Sequence, residues 1–183
     1  MPLSDADKED QDYIDRALIH YVQAGDYFQS RDFLLDGANV HYQDDEALRI
    51  AVETKEEDIT LMLLIWEADV HARDNEIWKM AAVTDEPGLL RSMISYAKDI
   101  RAGDDCAIRA AAEAEKHENV EILLYNGANP YCLSREQQQY YAEPIAKTRD
   151  HRKFIEGKRR EEFYGTTPER HKALRKYVRG PKP

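Results

Sequence analysis

Apolar residues along this chain fall into short stripes at helical spacing, separated by polar turns, and the stripes return every 30 residues. The segments DDEALRIAV from Asp44, DNEIWKMAA from Asp74 and DDCAIRAAA from Asp104 each end in a small apolar pair: Ala51-Val52, Ala81-Ala82 and Ala111-Ala112. Stepping back the same distance finds Ala17, Leu18, Tyr21 and Val22, a more divergent first copy. The offset also aligns the far end of the unit, where DGANVHY at Asp36, WEADVHA at Trp66, YAKDIRA at Tyr96 and NGANPYC at Asn126 share their columns. A fixed period of this length marks stacked units rather than one closed core. Four units result, 13–42, 43–72, 73–102 and 103–132, behind an acidic segment 1–12.

Each unit predicts two helices. Ala47, Leu48, Ala51 and Val52 make one apolar stripe; Ile59, Met62, Leu63 and Trp66 make the next. Between them lie polar or turn-forming runs, Lys55-Glu56-Glu57-Asp58 and Asp85-Glu86-Pro87-Gly88, where a carboxylate suits the second helix's N-cap and Pro its first turn. Gly37 and Gly127 stand where a helix end favours a left-handed residue, whereas Glu67 and Ala97 replace glycine in two copies and predict strained or differently closed ends. A lone pair of helices of about 10 residues has no third layer to pack against, so the units must bury their stripes on one another. Ala51, Ala81 and Ala111 fit close helix approach, and Leu48, Trp78 and Ile108 fill the space between units. The fold class expected is therefore all-α.

Charge divides the chain. Residues 1–132 carry 12 Lys and Arg against 29 Asp and Glu, net −17, whereas 133–183 carry 14 against 7, net +7. The two parts face different partners, or each other. No run approaches the roughly 20 apolar residues that span a bilayer, and the acidic start, MPLSDADKEDQD, does not resemble a secretory leader. Cys106 and Cys132 form no CxxC pair, and no His cluster has ligand spacing, so a disulfide framework or zinc site finds no support. A cytoplasmic protein without cofactors or metals is the expectation.

The two-helix unit with a terminal Gly-Ala-Asp/Asn resembles the ankyrin repeat. The Leu column at Leu48 and Ile108 agrees, but Glu46-Ala47-Leu48-Arg49, Glu76-Ile77-Trp78-Lys79 and Cys106-Ala107-Ile108-Arg109 stand where that family has Thr-Pro-Leu-His. The short unit with D-D-x-A-L/I-R-x-A is similar to variants in large DNA viruses and phages. The resemblance covers 13–132 well and 133–160 weakly. It implies an ankyrin-like solenoid, with residues 133–164 as a divergent capping repeat and 165–183 as a basic helix or tail.

It also implies a binding edge made of finger-like turns and first-helix faces. Carried over by position, that edge holds His41, Tyr42, Gln43, Glu46 and Glu53, then Arg73, Glu76 and Thr84, and finally Tyr131. Tyr42, Arg73 and Tyr131 are the expected anchors, since Tyr and Arg concentrate affinity at interfaces. Trp66 and Tyr96 end successive second helices about 10 Å apart, either as an aromatic patch for a partner or second copy, or folded onto their own units. His41 and His71 recur in register too far apart to share a metal, so hydrogen bonds that brace the turns are the better account. Cys106 and His117 lie at opposite ends of one unit with no third orienting group, and no Gly-rich phosphate loop occurs, so no catalytic chemistry is expected.

Two functions from different classes remain. The first is a non-enzymatic adaptor or inhibitor that docks its acidic stack on another protein, a host protein if the virus-like variant marks the origin. The second is nucleic-acid related: a phosphate-backbone mimic filling a DNA-binding cleft, or direct contact through Arg170, Lys172, Arg175, Lys176 and Arg179. A basic helix resting on the chain's own acidic units is favoured over direct nucleic-acid contact.

Overall fold

Each predicted stripe folds as a helix because it can be buried only against another. The computed structural model describes residues 5–146, and among them every regular element is a helix. The elements are α1 (Asp5–Gln23), α2 (Tyr27–Leu35), α3 (Glu46–Glu53), α4 (Glu57–Ile65), α5 (Ala72–Val83), α6 (Pro87–Ile94), α7 (Ala102–Glu113), α8 (His117–Tyr125) and α9 (Arg135–Tyr140), with a 3-10 turn at Pro130–Cys132 before α9. Their order is a row of pairs. The odd helices neighbour one another in sequence, α1 on α3, α3 on α5 and α5 on α7, while α2, α4, α6 and α8 line up behind them.

One core runs the length of this double row, from Leu18 and Val22 to Leu133 and Tyr141. The alanines Ala51, Ala81 and Ala111 are 0% exposed, which lets neighbouring helices approach closely, and Leu48, Trp78 and Ile108 fill the seam beside them. Tyr21 and Phe33, in columns that are fully buried in later pairs, stack with ring centroids 5.3 Å apart on the half-covered face of the first. At the other end α9 is polar, and Ser134 starts it with a capping box to Gln137.

Two closures organise a regular pair. The first helix ends in a left-handed residue, Gly25, Lys55 or Glu115, whose N–H and the next return to the helix, as in Gly25 N to Val22 O and Asp26 N to Tyr21 O. The second helix ends likewise at Gly37, Glu67 or Gly127, with Ala38, Ala68 or Ala128 buried just after. Glu67 thus bears the strained backbone expected of a glycine site, at φ 77°.

The third pair lacks both closures. Thr84 is extended, and the Ala82 carbonyl and its own are instead held from the next pair, by Asn119 Nδ2 donating to Ala82 O at 2.9 Å and Thr84 O at 2.8 Å. At the far end, Ala97 stays out of the left-handed region and its N–H reaches back to Met93 O, leaving Lys98 exposed where the other pairs bury Ala. Carboxylate capping of second helices holds only for α2, where Asp26 accepts from Gln29 N; α4 and α6 have no such side-chain bond, and Pro87 opens α6.

Candidate binding surface

The Asp-rich opening of each unit has a conformational cause. Residues 43–45, 73–75 and 103–105 are each three consecutive left-handed residues, with φ between 51° and 63°. Such a turn costs roughly 1–2 kcal/mol per ordinary residue, and Asp, Asn and Gly tolerate it best. Asp44-Asp45, Asp74-Asn75 and Gly103-Asp104-Asp105 are therefore the residues this turn selects.

The last residue of the first and third triples points inward, as does Asp15 in the same column of α1. Asp15, Asp45 and Asp105 are 4–6% exposed, and each accepts a backbone N–H from the turn that closes its own unit: Asn39 N at 2.6 Å, Asp69 N at 2.8 Å and Asn129 N at 3.0 Å. The residue at this position in every unit turns its own side chain onto the N–H two residues on, as in Asn39 to His41, Asp69 to His71, Asp99 to Arg101 and Asn129 to Tyr131. The histidines complete this bracing: His41 Nδ1 donates to the Asp45 carboxylate at 3.1 Å, and His71 Nδ1 to Asn75 Oδ1 at 2.9 Å. The buried carboxylates were hidden in the sequence among abundant acids, although the column Asp15, Asp45, Asn75, Asp105 recurs at the full period.

With their inner residues committed, the turns divide the expected binding edge in two. His41, Gln43, Glu53, Glu76 and Tyr131 are exposed, Tyr131 to 67%. Four others are engaged within the molecule, which corrects their place on the open edge. The Tyr42 hydroxyl donates to Asp12, and Arg73 holds Glu46 at 2.6 Å while also donating to the carbonyls of Gln43 and Asp44. Thr84 is buried, and its hydroxyl accepts from Glu86 N. The left-handed turn folds each finger back on its neighbour, so positions beside it pair across units. The outward middle residues Asp44, Asp74 and Asp104, absent from the expected edge, are exposed instead, the Asp104 side chain to 91%.

Glu46 sits between Arg49 and Arg73. Hydrogen bonds from Arg49 hold its carboxyl below the ordinary value of 4.5 against the opposing effect of burial, with the charges of both arginines adding to the shift. Asp85, held by Lys116 at 2.5 Å and by Lys55 at 4.0 Å, links three units along the opposite edge, and the Lys116 hydrogen bond lowers its pKa.

Trp66 and Tyr96 are both half-buried and pack against the core rather than standing clear of it. Between their helix ends lies a hollow of about 440 Å³. Burial pushes the thiols of Cys106 and Cys132 up, away from the thiolate form, and His117 Nδ1 lies 2.6 Å from the Tyr141 hydroxyl. Among the described residues no group of His, Cys, Asp and Glu could hold a metal ion, and no helix is long and apolar enough to cross a membrane. The basic positions Arg170, Lys172, Arg175, Lys176 and Arg179 lie outside the described residues, as does most of the expected capping repeat.

The molecule so described is an all-helical row of helix pairs with one acidic, turn-built edge. No protein-family model matches the chain, and no curated protein matches it.

Proposed function

We propose that this chain is an ankyrin-type repeat protein without catalytic chemistry, an adaptor or inhibitor that recognises another protein along its finger edge. The observation that carries this reading is the triple left-handed turn repeated at 43–45, 73–75 and 103–105, which sets Asp44, Asp74 and Asp104 in equal register beside exposed Gln43, Glu76 and Tyr131. The inward carboxylates of Asp45 and Asp105 and the Asn75 amide oxygen are bonded within the chain, so the turns are braced before they bind and little ordering accompanies association. Residues 5–146 hold 13 Lys and Arg against 31 Asp and Glu, net −18, so the partner presents a basic or mixed surface and encounter is accelerated by charge.

The test uses the triple change Asp44→Asn, Asp74→Asn, Asp104→Asn, because Asn also tolerates the left-handed turn and only charge is lost. A photo-crosslinker at Gln43 or Glu76 captures the partner from native lysate, and one at Glu57 on the opposite edge does not. The triple variant associates several-fold more slowly with the captured partner and loses most of its salt dependence. Equal capture from both edges, or unchanged association by the triple variant, rejects the reading. Should the captured partner be a DNA-binding protein that random DNA displaces, the edge acts as a mimic of a phosphate backbone.

A further inference from the structure

Six columns that are sealed in the second pair stand open in the first. Ala47, Ile50, Ala51, Ile59, Met62 and Leu63 are each 7% exposed or less, because α3 and α4 lie on α1 and α2. One period earlier the same columns hold Ala17, His20, Tyr21, Gln29, Asp32 and Phe33, of which His20 and Gln29 are exposed and the other four half-buried. The outward face of α1 and α2 is thus the seam of the stack, open among the described residues. Its centre is the stacked pair Tyr21 and Phe33, and Tyr13 and Phe28 flank it at 70% and 66% exposed. The opposite end of the row carries the polar helix α9, the kind of cover that a stack needs where it meets water.

The polar groups on the open face point to its occupant. On α1 the His20 ring offers an N–H donor; on α2 the Asp32 carboxylate, held beside Arg31 yet 49% exposed, offers an acceptor. A second copy turned about a two-fold axis parallel to these helices sets its α1 on this α2 and its α2 on this α1. Aromatic then meets aromatic, and donor meets acceptor twice, so the face complements itself. We propose that the chain pairs with a second copy through the open face of its first helix pair, centred on Tyr21 and Phe33, with His20 of each copy donating to Asp32 of the other. Two helices of roughly 15 Å make a face smaller than the ~800 Å² per partner of a standard interface. Copies of net charge −10 also repel. The dimer is therefore weak, with Kd on the order of 10–100 μM. With polar α9 at the other end, association stops at two copies and does not grow into a filament. The contact is separate from the finger edge and stands whether or not that edge binds a protein.

Sedimentation equilibrium of the full-length chain tests this, in about 0.3 M salt to screen the repulsion. The parent is a monomer at low micromolar concentration and a dimer toward roughly 1 mM. His20→Glu sets carboxylate against carboxylate, and Asp32→Lys sets donor against donor, so each variant alone dimerises at least ten-fold more weakly. Thermal midpoints stay close to the parent's, since neither side chain is buried. Mixed in equal amounts, the two variants pair with each other, because one contact becomes carboxylate to ammonium and the other stays native. Amide shifts that depend on concentration mark His20, Tyr21, Gln29 and Phe33. A parent chain that is monomeric throughout overturns the proposal, as does a dimer that both variants leave unchanged, or a mixture no more paired than its components. Concentration-dependent shifts confined to the finger turns or to α9 overturn it equally, by placing the contact elsewhere.

Discussion

Asp45 shows how much structure one side chain can specify. Its carboxylate is 4% exposed and serves both the His41 ring and the Asp69 amide, and removing it strands two donors at once. Asp45→Ala should therefore cost about 2–3 kcal/mol in urea unfolding. Asp45→Asn should cost clearly less, since Asn75 fills the same column and takes the equivalent histidine bond. Glu46 supplies a pH test. Its carboxyl titrates lower in the folded chain than in the unfolded one, so its contribution is complete above about 4.5 and is lost as pH falls through the depressed folded value. Being partly exposed, the pair contributes roughly 1 kcal/mol or less. Glu46→Gln should accordingly be less stable than the parent at neutral pH, and the gap should narrow as the pH is taken below the ordinary carboxylate range. Neither role was legible from composition. Among 36 acidic residues nothing in a single copy separates a solvated carboxylate from a bonded one, and Tyr42 and Arg73 read as anchors because their internal partners, Asp12 and Glu46, lie outside their own units.

At the scale of the helix pair the pattern was far more readable, because burial forces apolar residues into columns. Ala51, Ala81, Ala111, Leu48, Trp78 and Ile108 are all sealed in the core, as their recurrence implied. The irregular closures of the third pair were half visible, in Ala97 where glycine is usual; the role of Asn119 was not, since it acts from the following unit. The regular closures make a stabilising substitution available. Glu115 sits at φ 55° in the column that Gly25 occupies without strain, and Glu115→Gly should raise stability by about 0.5–1 kcal/mol, read as an increased urea midpoint at unchanged slope. The converse applies to Asn119. Asn119→Ala leaves the carbonyls of Ala82 and Thr84 without their donor and should lower stability by roughly 1–3 kcal/mol. Proteolysis should then begin at the α5–α6 turn.

Across the whole molecule, each pair is held chiefly by the pairs beside it, so stability falls toward the ends of the row. Native-state hydrogen exchange should be slowest in α5 and α7 and fastest in α1 and α9. Uniform protection from α1 to α9 would instead show that the described chain opens as one unit. The bond from each buried carboxylate to the turn that closes its unit spans 24 residues, and it recurs at Asp15, Asp45 and Asp105. That fixed span disciplines how the gene can change. Losing or gaining a single codon inside a unit would aim the carboxylate at the wrong amide, whereas duplicating or excising a full module leaves every surviving bond intact. Relatives of this chain should differ in length by whole modules, and shortened or lengthened engineered versions should fold only when cut at that same step.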